Sequence, residues 1–248
     1  MLFDWYTVSE KGRHLDTNED CVLAEPGYGL FVVADGMGGR PGGAQASRVA
    51  ARTFVDEVRR RNPFPRIEAA VLRQAVQAAN DAIRAIARTE PMMTGMGTTL
   101  TAVVLGETGG QFVHVGDSRL YGFVGGRIEQ LTEDHTLAAE LVARDFLSDA
   151  AERGPLHGIL SRVVGTRPTV EADIGHLALA PDEWLLLATD GLTKTVPPAR
   201  LEELFSATQR LGASAVGRAI MKAAMEADPR DNVTIAVVRP VGGARGGR

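Results

Sequence analysis

Three aspartates stand in closely similar surroundings. Asp35 ends the apolar run of VVADGMGG and Asp190 that of LLLATDGLT, while Asp231 opens one in DPRDNVTIAVV. An acidic residue at the mouth of a buried strand sits on a rigid scaffold at the rim of a sheet. Several such strands side by side focus carboxylates into one cleft. The glycine after Asp35 or Asp190 permits a tight turn and lets a backbone carbonyl approach an ion. Carboxylates, carbonyls and water are hard oxygen donors, suited to octahedral Mg²⁺ or Mn²⁺. Clustered carboxylates repel one another, so a bound cation also accounts for how they are tolerated. Two ions about 4 Å apart can share a water, lower its pKa and clamp a phosphate for in-line attack. A lone Asp-Gly is most often a plain turn, and Asn232 also reads as a strand-end cap. Specific flanks recurring in order along one chain outweigh that bland reading.

The elements that must position these residues alternate between strand-like and helix-like stretches. The apolar run over 29–34 reads as a buried strand leading into Asp35. Ala46, Ala50, Phe54 and Val58 recur every four residues and predict a helix over 43–61, stopped by Asn62-Pro63 and Pro65. Leu72, Val76, Ala79, Ile83 and Ile86 mark a second helix. Four strands are expected near 98–105, 111–115, 119–124 and 127–131, with hairpin signals at Gly109-Gly110 and Gly125-Gly126. Short connections make antiparallel neighbours, so this meander and its flanking helices predict α+β layers rather than a parallel sheet. A helix is expected at 134–145, strands at 171–177, 183–188 and 232–239, and helices at 199–207 and 213–227. Residues 146–168 show no clear period and read as a mobile surface segment. No repeat of fixed period is present.

Composition narrows the function classes. The chain has 248 residues, of which 44% are hydrophobic, enough for a substantial core. Net charge is −4, from 27 basic and 31 acidic residues, so nothing points to nucleic acid or an anionic membrane. One cysteine, Cys21, excludes an internal disulfide and a cysteine zinc site, as expected of a cytoplasmic protein. The start carries Asp4, Glu10 and Lys11 rather than a signal-peptide pattern, and no apolar run approaches the roughly 18 residues of a membrane span.

Seven short elements in order resemble the metal-dependent serine/threonine protein phosphatases of type 2C, in their bacterial form. They are TNED (Thr17–Asp20), ADGMGG (Ala34–Gly39), GTTL (Gly97–Leu100), VGDSRLY (Val115–Tyr121), LTEDH (Leu131–His135), ATDGL (Ala188–Leu192) and DNVT (Asp231–Thr234). The resemblance implies a four-layer αββα sandwich, two antiparallel sheets between pairs of helices, forming one catalytic domain over 1–240 before a disordered tail at 241–248. It implies two Mn²⁺ or Mg²⁺ ions at the sheet rim, with Asp35 bridging both. The Gly36 carbonyl would ligate one ion, and Asp190 and Asp231 the other. Asp20 would hold metal-coordinated water, Asp117 a third and weaker ion, and Asn232 would orient Asp231 or its turn. The expected reaction is hydrolysis of phosphoserine and phosphothreonine in proteins by a hydroxide shared between the ions, reversing a bacterial serine/threonine kinase. Residues 146–168 would be the flap that influences substrate choice. A monomer is expected.

The chain departs from the family pattern where substrate phosphate binds. The usual arginine five residues before the aspartate of the NED element is Leu15 here, which leaves Arg13 or His14 as substitutes. The histidine usual after GMGG is Arg40, which could take over the lost phosphate contact. None of His114, His135, His157 and His176 is assigned to catalysis; His135 reads as a helix cap and His114 as packed or paired. Two other functions compete with the enzymatic one. The missing arginine fits a pseudophosphatase that binds phosphoproteins as a regulator, against which the retained aspartates weigh. A hydrolase of small phosphoesters would use the same metals.

Overall fold

The computed structural model describes residues 2–37, 42–61, 68–106, 109–144, 146, 155–180 and 183–241. Among these, ten strands form two antiparallel sheets of five. The first sheet has the order β1 (Leu2–Glu10), β10 (Val233–Val241), β9 (Trp184–Ala188), β6 (Arg119–Val124), β7 (Arg127–Gln130). The second has the order β2 (Asp20–Glu25), β3 (Leu30–Asp35), β4 (Leu100–Gly106), β5 (Gly109–Val115), β8 (Asp173–Leu177). Helices α1 (Gly43–Arg61) and α2 (Ala69–Thr89) cover the outer face of the second sheet. Helices α5 (Pro198–Thr208) and α6 (Ala213–Glu226) cover that of the first. Two short helices, α3 (Leu137–Ala143) and α4 (Asp190–Thr193), lie between strands. This is the expected αββα sandwich.

Its layers explain the unbroken apolar runs. A central strand of an inner layer is buried on both faces, so it cannot alternate with polar residues. In β3, Leu30, Val32 and Ala34 face α1 and α2, while Phe31 and Val33 face the other sheet. In β9, Trp184, Leu186 and Ala188 face α5 and α6, while Leu185 and Leu187 face inward. The predicted helix stripes are the buried ones: Ala46, Ala50, Phe54 and Val58 in α1, and Leu72, Val76, Ala79 and Ile83 in α2. Each large side chain so buried contributes roughly 1.5–3 kcal/mol.

Four expectations change. The strands over 98–131 are not one meander: β4 pairs with β5 and β6 with β7, but the sheet changes between them. Gly116, Asp117 and Ser118 alone make that crossover, with Gly116 at positive φ. The Gly125-Gly126 turn stands, both residues at positive φ, whereas Gly109 and Gly110 belong to β5, paired with Gly106 and Leu105. Within 146–168, residues 147–154 lie outside the described residues, but the later part is tied down. Leu160 bridges Thr136, Val164 bridges Thr98, and the Gly165 N–H donates to Asn80 Oδ1 at 2.7 Å. Strand β10 runs through Val241, one residue into the expected tail, and 242–248 lie outside the described residues.

Candidate metal centre

One end of the sandwich collects aspartates from both sheets. Asp20 opens β2 and Asp35 closes β3, and the two are direct cross-strand partners. Asp117 sits in the crossover between β5 and β6. Asp190 begins α4, two residues after β9, and Asp231 precedes β10 by two residues, in the neighbouring strand of the first sheet.

The threonines of the GTTL element fix Asp35. Its N–H donates to Thr99 Oγ1 at 2.9 Å, and its carbonyl accepts from the Thr99 N–H at 2.9 Å and from Thr98 Oγ1 at 2.7 Å. Thr99 Oγ1 is also 2.8 Å from Ser118 Oγ, which couples Asp35 to the crossover carrying Asp117. At Gly36 a Cβ would lie 2.2 Å from the Gly43 carbonyl oxygen, so only glycine fits. Gly191 is tighter still: its Cβ would meet the Asn232 carbonyl oxygen at 1.9 Å. That contact brings α4 onto the 231–232 turn and sets Asp190 beside Asp231. Asp231 Oδ1 accepts from the Asn232 backbone N–H at 2.9 Å, while the buried Asn232 Oδ1 has no hydrogen-bond partner among the described residues.

Several supporting residues escape the sequence reading. Thr189 Oγ1 donates to Asp20 Oδ2 at 2.8 Å and accepts from the Thr234 N–H at 3.0 Å, joining the sheets at the site. His135 does not cap α3. Thr136 does, accepting from the Ala139 N–H, and His135 instead grips Gly116. Its N–H donates to the Gly116 carbonyl at 2.7 Å, and its Nδ1 accepts from the Gly116 N–H at 3.1 Å. His114 is paired as expected, with Thr101 Oγ1 at 2.9 Å and the Glu133 carbonyl at 3.0 Å. Lys194, one helical turn after Asp190, hydrogen-bonds Asp190 Oδ2 and lies 3.8 Å from Asp231 Oδ2. The local signal for it was the i,i+4 spacing from a site aspartate.

The two arginines proposed for phosphate binding differ in standing. Arg13 is exposed, and its Nε lies 3.9 Å from Asp228 Oδ1; His14 Nε2 is 3.3 Å from Asp228 Oδ2. Both therefore touch the turn that carries Asp231. Arg40 lies outside the described residues, with Gly38, Gly39 and Pro41.

The electrostatics are those of crowded like charges. Burial, then Asp190 and Asp231, push the Asp20 carboxyl up to about 7, against hydrogen bonds from Thr234 and Thr189. Burial and Asp190 push Asp117 up to about 7, with Lys194 opposing. Asp35 is raised well above the carboxylate range by burial and then by Asp20, Asp190, Asp117 and Asp231. Asp231 is raised by burial and by Asp190. Burial works against the charge on Lys194, but Asp190, Asp117 and Asp231 outweigh it and raise its pKa.

The donor set fits divalent ions. Asp20 Oδ1 and Asp190 Oδ1 are buried without a hydrogen-bond partner among the described residues. A buried carboxylate oxygen normally has a partner, and a hard cation is the one that five converging aspartates would share. As placed, no three Asp, Glu, His or Cys side chains among the described residues close to the spacing of a single ion. The fit therefore rests on donor chemistry and these orphaned oxygens.

Comparison with known proteins gives the family. The family model described as protein phosphatase 2C matches residues 16–227. The serine/threonine phosphatase stp of Listeria monocytogenes is 32% identical over 236 residues, 93% of each chain. The crystal structure of the Mycobacterium tuberculosis serine/threonine phosphatase PstP/Ppp matches with a TM-score of 0.88 at 28% identity, covering 98% of this chain and 100% of that one. The catalytic domain of the serine/threonine protein phosphatase PstP in complex with two manganese ions matches at 0.85 and 28%, covering 97% and 99%. This chain belongs to the protein phosphatase 2C family, the metal-dependent serine/threonine protein phosphatases, in its bacterial form.

Proposed function

We propose that this protein serine/threonine phosphatase hydrolyses phosphoserine and phosphothreonine in protein substrates of a serine/threonine kinase, as a single catalytic domain over 1–240. The pair of orphaned carboxylate oxygens, Asp20 Oδ1 and Asp190 Oδ1, within a cluster of five aspartates carries the reading. Asp35, Asp190, Asp231 and the Gly36 carbonyl would hold two Mn²⁺ or Mg²⁺ ions, which share the same ligand preferences, and Asp117 a third. Such ions supply a water acidified towards neutral pH for in-line attack and neutralise charge on the phosphate.

The chain's own residues supply position and charge. Thr98 and Thr99 hold the Asp35 backbone on both sides, which fixes where its carboxylate points. Thr189 commits one oxygen of Asp20 and leaves Oδ1 for a water. The His135 grip on Gly116 sets the crossover from which Asp117 projects. Arg13 stands beside the Asp231 turn and is a candidate for substrate phosphate, as is Arg40. No helix among the described residues is long and apolar enough to cross a membrane. The protein would act on cytoplasmic phosphoproteins, as a monomer.

Hydrolysis of a phosphothreonine peptide after chelation, with Mn²⁺ or Mg²⁺ added back, tests the proposal. Turnover should require metal and be lost in Asp190→Asn and Asp231→Asn. Folded protein that binds Mn²⁺ without turnover would overturn the enzymatic reading in favour of a phosphoprotein-binding regulator. Turnover of small phosphate esters but not of phosphopeptides would remove the protein substrate.

A further inference from the structure

Lys194 stands apart from the motifs that resemble the family, since the ATDGL element ends two residues before it. Its base is fixed to the site. The Lys194 N–H donates to the Asp190 carbonyl at 2.8 Å, closing the turn of α4, and Gly191 of the same turn packs on the Asn232 carbonyl. Its ammonium binds Asp190 Oδ2 and lies 3.8 Å from Asp231 Oδ2. The side chain is 44% exposed, and its four-carbon stem can swing without moving the backbone. A cation on a flexible tether thus holds the oxygens of two aspartates read above as metal ligands.

We propose that Lys194 is a built-in competitor for the metal site, bound by Asp190 and Asp231 in place of a divalent ion, and that it sets the metal concentration at which the site fills. The proposal rests on the reading of Asp190 and Asp231 as metal ligands. An ammonium and a divalent ion cannot both sit on one carboxylate oxygen, and their like charges repel at this range. Filling the site therefore requires the amine to leave, and the free energy of its pairing is subtracted from that of metal binding. The same pairing neutralises part of the acidic cluster when metal is scarce.

Calorimetric titration of the chelated full chain with Mn²⁺ alone tests this in the wild type and in Lys194→Met, Lys194→Gln, Lys194→Arg and Asp190→Asn. Loss of one half-exposed competing charge should tighten Mn²⁺ binding roughly two- to fivefold in the Met and Gln variants. Lys194→Arg, which keeps the charge, should remain near the wild type. In chelator the Met variant should melt below the wild type, and in excess Mn²⁺ the difference should close. A lysine that only props up the turn would give weaker Mn²⁺ binding in both neutral variants, and that result, or unchanged affinity, overturns the proposal. Asp190→Asn separates the two levels. If it loses Mn²⁺ binding while the neutral variants do not tighten, only the competitor role falls. If it binds Mn²⁺ like the wild type, the metal-ligand reading falls as well.

Discussion

The two sheets present their aspartates in different ways. On the second sheet, Asp20 and Asp35 face each other across paired strands, and neutral hydroxyls of Thr98, Thr99 and Thr189 hold them. On the first sheet, Asp190 and Asp231 lie just beyond the strand ends, on a four-residue helix and a turn. A charge holds them, the Lys194 ammonium, and the Asp231 side chain is 45% exposed. Paired strands between two cores have little room to relax, whereas short segments at strand ends adjust readily. One half of the site is therefore built by folding, and the other remains responsive to whatever cation is present.

The sharpest test of this contrast adds one methyl group to each half. Gly36→Ala places a Cβ 2.2 Å from the Gly43 carbonyl and 2.7 Å from the Glu19 carbonyl, backbone on two sides, and should lower stability by roughly 3 kcal/mol in urea unfolding. Gly191→Ala meets a closer contact, 1.9 Å from the Asn232 carbonyl, but on the short helix beyond a strand end and against that one backbone group alone. It should lower stability less, by roughly 1–2 kcal/mol, and shift Asp190 enough to cost about 10²-fold in activity. Equal stability losses would break the contrast.

Thr99→Val conserves volume and removes the hydroxyl that accepts from the Asp35 N–H. An orphaned buried donor predicts a loss of about 1–3 kcal/mol, read by urea unfolding. Mn²⁺ affinity, read by calorimetry, should fall about 10- to 100-fold, as expected for a residue that orients a ligand.

Acidity distinguishes the buried carboxylates from the exposed one. In chelator, Asp20 and Asp117 titrate near 7, above the ordinary carboxylate value of the unfolded chain. A raised folded pKa means stability that is present at low pH and lost as pH rises through the folded value. The chelated protein should therefore melt at lower temperature as pH goes from 5 to 8, by a few degrees, and Asp20→Asn should flatten that slope. With Mn²⁺ the trend should reverse, because metal requires the deprotonated ligands. A chelated protein that gains stability on going from pH 5 to 8 would contradict the crowding.

The smallest effect is expected outside both halves. Arg13 makes a long, exposed ion pair with Asp228, so Arg13→Ala should change stability by less than about 0.5 kcal/mol in urea unfolding. An increase in KM for a phosphopeptide without loss of stability would identify it as a phosphate contact.

Much of this was legible in the chain itself. The unbroken runs LFVVA and WLLLA mark strands buried on both faces, and the helix stripes of α1 and α2 are those read from four-residue spacing. Strands β1 and β2 were not legible: both are edge strands with mostly half-buried residues, β1 mixes polar with apolar residues, and the apolar run of β2, Cys21 to Ala24, is short. The change of sheet between β5 and β6 was equally hidden, because two adjacent hairpins read the same whether or not they share a sheet. His135 shows how a local signal misleads: a residue at a helix start suggests a cap, and its real partner lies 19 positions back.

The sequence by itself determined which aspartates stand at strand ends, that their ligand chemistry is oxygen, and which family they resemble, because these depend on residue type and nearby spacing. The tertiary structure alone decided that Thr189 bonds Asp20, 169 residues away, that Gly191 presses α4 onto the Asp231 turn, and that Lys194 reaches Asp231. Such contacts join segments distant in the chain, and they exist only once two twisted sheets pack face to face and bring their ends together.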